Sequence, residues 1–333
     1  MKILFRISGG RIRKKELGLG HIYRCINLSK ELSSHDLTFL IEDFGSVSSL
    51  LKEQNLKYIK LKPGLSENAD IKNTMKIIED KKIDLVIMDR YGLTNKYAKT
   101  INQVAKLVII SDLQNIQYNA DLIVNGFIGY KNKIIYNKYG VKCLLGPKYQ
   151  ILNSVYTKKK STTKKKIDIL VTFGGFDSAN IISILLQSLK NNIENFRIKI
   201  ILGPSTKKNA ELAKLVTKYK KHISILQKVP NIRREINETK FGFCSGGITT
   251  YEFACMKVPF AIICQYPHQL TTAREWQKLG IGLNLGQPTS STSKKIQNIL
   301  NNLEKTTKKL KTNHNVVDGL GSKRIKKEII SLK

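Results

Sequence analysis

The chain has 333 residues and 58 Lys plus Arg against 25 Asp plus Glu, a formal net charge of +33, and that length accommodates two domains of ordinary size, each able to bury its own core. No run reaches the ~18 consecutive apolar residues of a membrane span, and Met1 to Arg6 turns charged too early for a secretory leader, so the expectation is a cytoplasmic protein. The five cysteines (Cys25, Cys143, Cys244, Cys255 and Cys264) are odd in number, widely spaced and free of any C-x-x-C, which leaves them as small core residues rather than a disulfide framework or a zinc site.

The first half alternates strand-like and helical patterns. A strand runs from Lys2 to Ser8, a Gly-rich loop follows, then an amphipathic helix from about His21 to Leu32 and a strand from Asp36 to Ile41. The alternation continues through Tyr58–Leu61, a helix near Ala69 to Asp80, the apolar run Leu85–Met88, a helix near Asn95 to Val104 and the strand Leu107–Ile110, with shorter apolar runs at Leu122–Val124 and Val141–Leu145. Residues 158–166, mostly Lys, cannot bury anything and read as a linker between domains 1–157 and 167–333. Beyond it the pattern restarts: strands at Ile167–Phe173, Arg197–Leu202, Ile223–Leu226, Phe241–Cys244, Pro259–Ile263 and Gly282–Leu285 alternate with helices at Ile181–Lys190, Lys207–Tyr219, Thr250–Met256 and Gln269–Leu279, and a helical tail follows from Ser291. The expected fold class is α/β: two Rossmann-like, doubly wound domains facing each other across a cleft, with ligand loops at the carboxyl ends of the strands.

Candidate chemistry falls at those strand-to-helix junctions. Gly18-Leu19-Gly20-His21 pairs glycines with a helix N-terminus, but Tyr23 stands where a dinucleotide fingerprint needs glycine, and the Gly-Lys-Ser/Thr ending of a phosphate loop is missing. At the positive end of a helix dipole His21 is expected neutral, as a general base must be; a packing or capping loop histidine is the alternative. Arg24, one turn on, reads either as a phosphate or carboxylate contact or as a surface charge. Asp89, with Tyr91 just beyond, and Asp112 follow buried strands to the same sheet edge, where Asp89 could polarise His21, bind sugar hydroxyls or cap a helix. In the second half Gly174-Gly175-x-Asp177 ends one strand. Gly246-Gly247-Ile248-Thr249, with Glu252 a turn later, ends another, a pattern that suits a diphosphate and a ribose diol. His268-Gln269 opens the helix of the next junction.

The charge excess is Lys mixed with Ile and Asn along the whole chain, without the Arg and aromatic clustering that reads or stacks bases, so specific nucleic-acid binding is not expected. A basic surface does favour an anionic substrate.

Taken together, Gly18-x-Gly20-His21 with Arg24-Cys25, Asp89-x-Tyr91-Gly92-Leu93, Gly146-Pro147-x-Tyr149, Phe173-Gly174-Gly175-x-Asp177, and Gly246-Gly247 with Glu252 and His268-Gln269 resemble, in order and over nearly the whole chain, the UDP-sugar hydrolase of the pseudaminic acid pathway and the related predicted glycosyltransferases of spore-coat polysaccharide synthesis. The second half is also similar to the lipid-linked N-acetylglucosaminyltransferase of peptidoglycan synthesis. The resemblance implies a glycosyltransferase-B-type fold. It further implies His21 as a base activating water against the anomeric carbon of a UDP-sugar, Glu252 on ribose and Gly246 to Thr249 on diphosphate, with no metal or other cofactor. The chain departs from the pattern in a longer, more basic stretch around Arg11 to Lys15, in His268 where Asn is common, and in Ser111-Asp112 where paired acids are common. A glycosyltransferase using the same donor and a non-catalytic nucleotide-sugar binding protein are the rival readings, and the sequence leaves the oligomeric state open.

Overall fold

The computed structural model describes residues 1–12, 15–42, 46–112, 115–158, 164–189, 192–203, 210–227, 229, 231–312 and 315–332, with the backbone alone at 10–12, 15–18, 46 and 211. It divides into two compact units, Met1–Ser154 with Gly319–Lys333, and Val155–Asp318.

The first unit runs β1 (Lys2–Ile7), β2 (Gly10–Ile12), β3 (Lys15–Gly18), α1 (Gly20–Glu31), β4 (Asp36–Glu42), α2 (Ser46–Glu53), β5 (Tyr58–Leu61), α3 (Glu67–Lys81), β6 (Leu85–Asp89), α4 (Asn95–Asn102), β7 (Lys106–Ile110), β8 (Leu122–Asn125), β9 (Lys133–Tyr136) and β10 (Lys142–Leu145). Its main sheet has the order β5-β4-β1-β6-β7-β8-β10-β9, parallel except for β9 against β10. The second unit runs β11 (Ile167–Thr172), α5 (Ile181–Leu189), β12 (Ile198–Leu202), α6 (Ala210–Lys218), β13 (Ile223–Gln227), α7 (Arg233–Asn237), β14 (Thr239–Cys244), α8 (Ile248–Cys255), β15 (Phe260–Ile262), α9 (Gln269–Lys278), β16 (Gly282–Asn284), α10 (Thr292–Asn301) and α11 (Leu303–Lys309). Its sheet, β13-β12-β11-β14-β15-β16, is wholly parallel.

The strands form because their apolar runs are continuous rather than alternating, as a sheet covered on both faces requires. Every residue of β6 and of β11 is buried. In α1 the apolar positions Ile22, Cys25 and Ile26 repeat at three- and four-residue spacing and bury one stripe, leaving Tyr23 and Lys30 outside. Ser66 caps α3 and Thr94 caps α4 by accepting the N–H of Ala69 (3.3 Å) and of Tyr97 (3.1 Å). Burial of each large aliphatic or aromatic side chain in the two cores contributes roughly 1.5–3 kcal/mol. Among the described residues no helix is long and apolar enough to cross a membrane, and all five cysteines are buried, with no disulfide between them.

Both sheets follow one winding rule. In each, the first strand lies inside the sheet, the next two lie on one side of it, and the later ones on the other. The chain therefore leaves β1 and β6, and likewise β11 and β14, in opposite directions, and the crevice beyond the carboxyl ends of those neighbours is where such a fold receives ligands.

Three expectations are corrected. The Gly-rich loop after β1 is a hairpin, β2 against β3, pairing Arg11 with Glu16 and Ile12 with Lys15; Arg13 and Lys14 lie outside the described residues. The boundary of the second unit falls at Val155, ahead of the Lys-rich stretch. Residues 159–163 of that stretch lie outside the described residues, and Lys165 and Lys166 already bind the second unit through the carbonyls of Asn237 and Glu238. Finally, the chain's last helix, α12 (Gly321–Ile330), belongs to the first unit rather than the second. Its Ser322 hydroxyl donates to the Leu152 carbonyl (3.2 Å), Arg324 donates to the Lys148 carbonyl (2.9 Å), and Lys142 and Glu328 pair at 2.5 Å. A Cβ at Gly321 would stand 2.1 Å from the Gln150 carbonyl oxygen, so this docking requires glycine.

Candidate active site

In the first unit the crevice beyond β1 and β6 collects His21, Arg24, Asp89 and Asp112. Asp89 closes β6 and is wholly buried. His21 and Arg24 lie one turn apart on α1, which places them on one face. His21 Nδ1 is 2.5 Å from Asp89 Oδ1. Arg24 donates through Nε to Asp89 Oδ2, through Nη2 to Asp89 Oδ1 (2.5 Å), and through Nη1 and Nη2 to the two oxygens of Asp112 (2.5 and 3.0 Å). The Cys25 thiol adds a weak donation to Asp89 (3.4 Å).

Arg24 decides the charge states. Burial alone would push Asp89 up, but Arg24 and His21 hold it far below the usual carboxylate range. Asp112, half exposed in its side chain, is likewise held low: the surrounding protein disfavours its charge, and Arg24 then His21 outweigh that cost. Two groups compete at Nδ1: the ionised Asp89 at 2.5 Å can only accept and Arg24 Nη2 at 3.0 Å can only donate, and the shorter contact to the full charge favours a proton on Nδ1 with Nε2 as the acceptor, 3.6 Å from Asp112 Oδ2. The helix dipole is not the main influence on His21; its charged neighbours are. Burial does oppose its charge, but Asp89, and less strongly Asp112, raise it above its ordinary value of 6.5 even against Arg24. Two full charges at contact outweigh the partial charge of a helix end.

His21, Asp89 and Asp112 present ligand atoms within 4.8 Å of one another, a donor set that suits a divalent ion. The Arg24 guanidinium donates to both of these carboxylates.

Gly18 closes β3 and Gly20 opens α1, whose N-terminus has no side-chain cap among the described residues. Tyr91 is 55% exposed, and its N–H donates to the buried Ser8 hydroxyl (2.8 Å), tying the end of β1 to the β6–α4 loop.

In the second unit, three junctions converge beyond β11, β14 and β15. Gly174, at φ +75°, and Gly175 follow β11. Gly246 packs so tightly that an added Cβ would lie 2.8 Å from Gln269 Cβ, whereas Gly247 faces open space. Gly247 starts α8 with no side-chain cap among the described residues. Thr249 is buried in the first turn, and its neighbour Thr250 is structural: its hydroxyl donates to the Gly247 carbonyl (2.8 Å) and accepts from the fully buried Trp276 indole (2.9 Å). Burial pushes Glu252 up to about 7, against the opposing pull of the Tyr156 hydroxyl. Gln269 is buried and accepts the Gln265 N–H (2.8 Å), while His268 is exposed and stacks on Tyr266 with ring centroids 5.6 Å apart. Asp177 is otherwise engaged: its two oxygens accept the N–H groups of Ile181 (2.8 Å) and Ile182 (3.0 Å), which makes it the cap of α5.

Sequence reasoning missed Gln265, Ser178 and Tyr266, which join the first and third of these junctions, and Tyr156 beside Glu252. For Gln265 a signal existed. It is a polar residue just beyond an apolar strand, the same position that pointed to Asp89 and Asp112.

No protein-family profile matches the chain. It is 31% identical over 266 residues to an uncharacterised protein of Methanocaldococcus jannaschii, a match covering 75% of this chain and 54% of that one, so the chain spans about half of that relative's length. It is 26% identical over 280 residues to the spore coat polysaccharide biosynthesis protein SpsG of Bacillus subtilis, covering 81% and 80%. It is 27% identical over 289 residues to the UDP-2,4-diacetamido-2,4,6-trideoxy-beta-L-altropyranose hydrolase of Campylobacter jejuni, covering 84% and 97%. Among solved structures, MurG of Acinetobacter baumannii superposes with a TM-score of 0.68 at 15% identity over 99% of this chain and all of that one. The fold is thus of glycosyltransferase-B type, with two parallel-sheet α/β units. The resemblance read from the motifs is borne out at modest identity by the hydrolase and the spore coat protein.

Proposed function

We propose that the chain hydrolyses a UDP-linked amino-deoxy sugar at its anomeric carbon, releasing UDP, within the synthesis of a nonulosonic acid or related surface glycan. The observation that carries this reading is the His21–Asp89 pair at the β1/β6 crevice. Asp89 fixes the Nδ1 proton, and Nε2 is left to take one from water. The oxygen of that water bonds to the anomeric carbon, the bond from that carbon to the diphosphate oxygen breaks, and its electron pair leaves with UDP. In the second unit the unclaimed N–H groups at the start of α8, with the helix behind them, suit the charge that develops on the departing diphosphate. Glu252, a turn further on, suits a ribose diol. Similarity over 84% of the chain to a hydrolase of a UDP-linked diacetamido sugar, and over 81% to a spore coat polysaccharide protein, supports UDP-sugar chemistry in glycan synthesis.

The test is UDP release from a panel of UDP-linked amino sugars, with and without hydroxyl acceptors, for the native protein and His21→Ala. Release without acceptor, lost in the variant while UDP still binds, is the expected result. Release that requires an acceptor replaces hydrolysis with glycosyl transfer. Binding of the nucleotide sugar with no turnover by the native chain leaves a binding protein.

A further inference from the structure

The first and third junctions of the second unit are tied together by one side chain that neither the motifs nor the proposed chemistry uses. Gln265 lies just beyond β15. Its Nε2 donates to the Phe173 carbonyl (2.9 Å), its Oε1 accepts from the Ser178 N–H (2.8 Å) and hydroxyl (3.1 Å), and its own N–H donates to Gln269 Oε1 (2.8 Å). The Ser178 hydroxyl lies 2.8 Å from the Tyr266 hydroxyl, a second tie between the same two loops. Because β14 lies between β11 and β15 in the sheet, these bonds span from one outer junction to the other, with the Ser245–Gly247 turn between them.

That geometry bears on anion binding. The N–H groups of Gly174, Gly175 and Phe176, and of Gly246, Gly247, Ile248 and Thr249, find no acceptor among the described residues. Two sets of free donors on neighbouring junctions are what two linked phosphates require. In a trans peptide the carbonyl of one residue and the N–H of the next point in opposite directions. By holding the Phe173 carbonyl, Gln265 fixes the direction of the Gly174 N–H, at a glycine (φ +75°) whose missing Cβ leaves that peptide otherwise free to turn. By holding Ser178 it sets the distance between the two outer loops, and its bond to Gln269 braces its own loop.

We propose that Gln265 is a positioning residue for the diphosphate of the nucleotide. It acts through the Phe173–Gly175 and Gln265–Gln269 loops rather than by touching the nucleoside. This rests on the reading of the second unit as the nucleotide site.

The test compares the affinities of UDP and uridine, by calorimetry, for the native protein, Gln265→Ala and Gln265→Met, the last keeping the volume of the side chain while removing its hydrogen bonds. The expected result is a rise in Kd for UDP of roughly 10-fold or more in both variants, with uridine affinity unchanged. A native-like UDP affinity in Gln265→Met overturns the proposal, and so does an equal loss of UDP and uridine, which would mark a general disturbance of the unit. Failure of the native protein to bind either compound would instead overturn the nucleotide reading itself.

Discussion

His21 Nδ1 lies 2.5 Å from Asp89 Oδ1, joining the first turn of α1 to the last residue of β6 across 68 positions of sequence. Asp89 is wholly buried and held ionised by Arg24, so it orients the imidazole without taking its proton. Asp89→Asn should therefore lower kcat for UDP release by about 100- to 10,000-fold, because an amide neither fixes the tautomer nor supports the imidazolium. The Kd for UDP should not change, since the nucleotide is assigned to the other unit. Steady-state kinetics paired with calorimetry checks both.

The same two carboxylates predict a pH profile. His21 titrates above 6.5 because Asp89 and Asp112 outweigh burial and Arg24. A base must be unprotonated, so kcat/KM should rise with pH through a value above 6.5 and then level off. Asp112→Asn removes one stabilising charge and leaves Arg24 less compensated, so the rise should move to lower pH. For folding the sign is the reverse of that for activity. A pKa raised by folding contributes stability that is fully present below 6.5 and is lost as pH rises through the folded value. A rise in Asp112→Asn that stays in place, or moves upward, would falsify this account of the site.

Much of this was legible in the sequence. Continuous apolar runs such as Leu85–Met88, separated by helical patterns, identified parallel sheets, and acids placed just beyond such runs identified Asp89 and Asp112. What failed has physical reasons. The apolar stripe of α12 (Ile325 and Ile329) shows that the helix packs but not on which unit. Asp177 follows the strand-end glycines just as a ligand residue would, and only the Ile181 and Ile182 N–H groups reveal a cap. The contacts that raise the pKa of His21 run across 68 and 91 positions, so no local pattern carries that direction.

A second buried charge network sits behind the site. Arg6, fully buried on β1, donates through Nε and Nη2 to Asp70 on α3 (3.1 and 2.6 Å), while the Tyr97 hydroxyl donates to the same carboxylate (2.9 Å). Arg90, stacked over the Tyr97 ring at 4.9 Å, approaches it too (2.8 Å). Asp70→Asn leaves two guanidinium groups short of charge in the interior and should cost about 3–5 kcal/mol by denaturant unfolding. Replacing the pair together, as Arg6→Met with Asp70→Leu, should recover part of that loss.

Glu252 offers a pH test of the nucleotide site. Burial pushes it up to about 7 in the free protein. Ribose hydroxyls donate to a carboxylate and so favour its charged form, which means that binding releases a proton. UDP affinity should therefore rise with pH through about 7, and Glu252→Gln should bind more weakly with that rise abolished. Calorimetry in two buffers of different ionisation enthalpy measures the proton release directly.

The two glycines that open α8 are not equivalent. A methyl group on Gly246 would stand 2.8 Å from Gln269 Cβ and 3.0 Å from the Gln269 carbonyl oxygen, contacts that require the β15–α9 junction to move. At Gly247 the same methyl group meets nothing within 4 Å, and the φ of −99° suits any residue. Gly246→Ala should thus lower stability by about 1–3 kcal/mol and weaken UDP binding, because the displaced junction carries both Gln265 and Gln269. Gly247→Ala should stay within about 0.5 kcal/mol of the native protein. If it nonetheless loses UDP affinity, the added methyl group is meeting the ligand, and the open face of Gly247 is the side from which the phosphates approach.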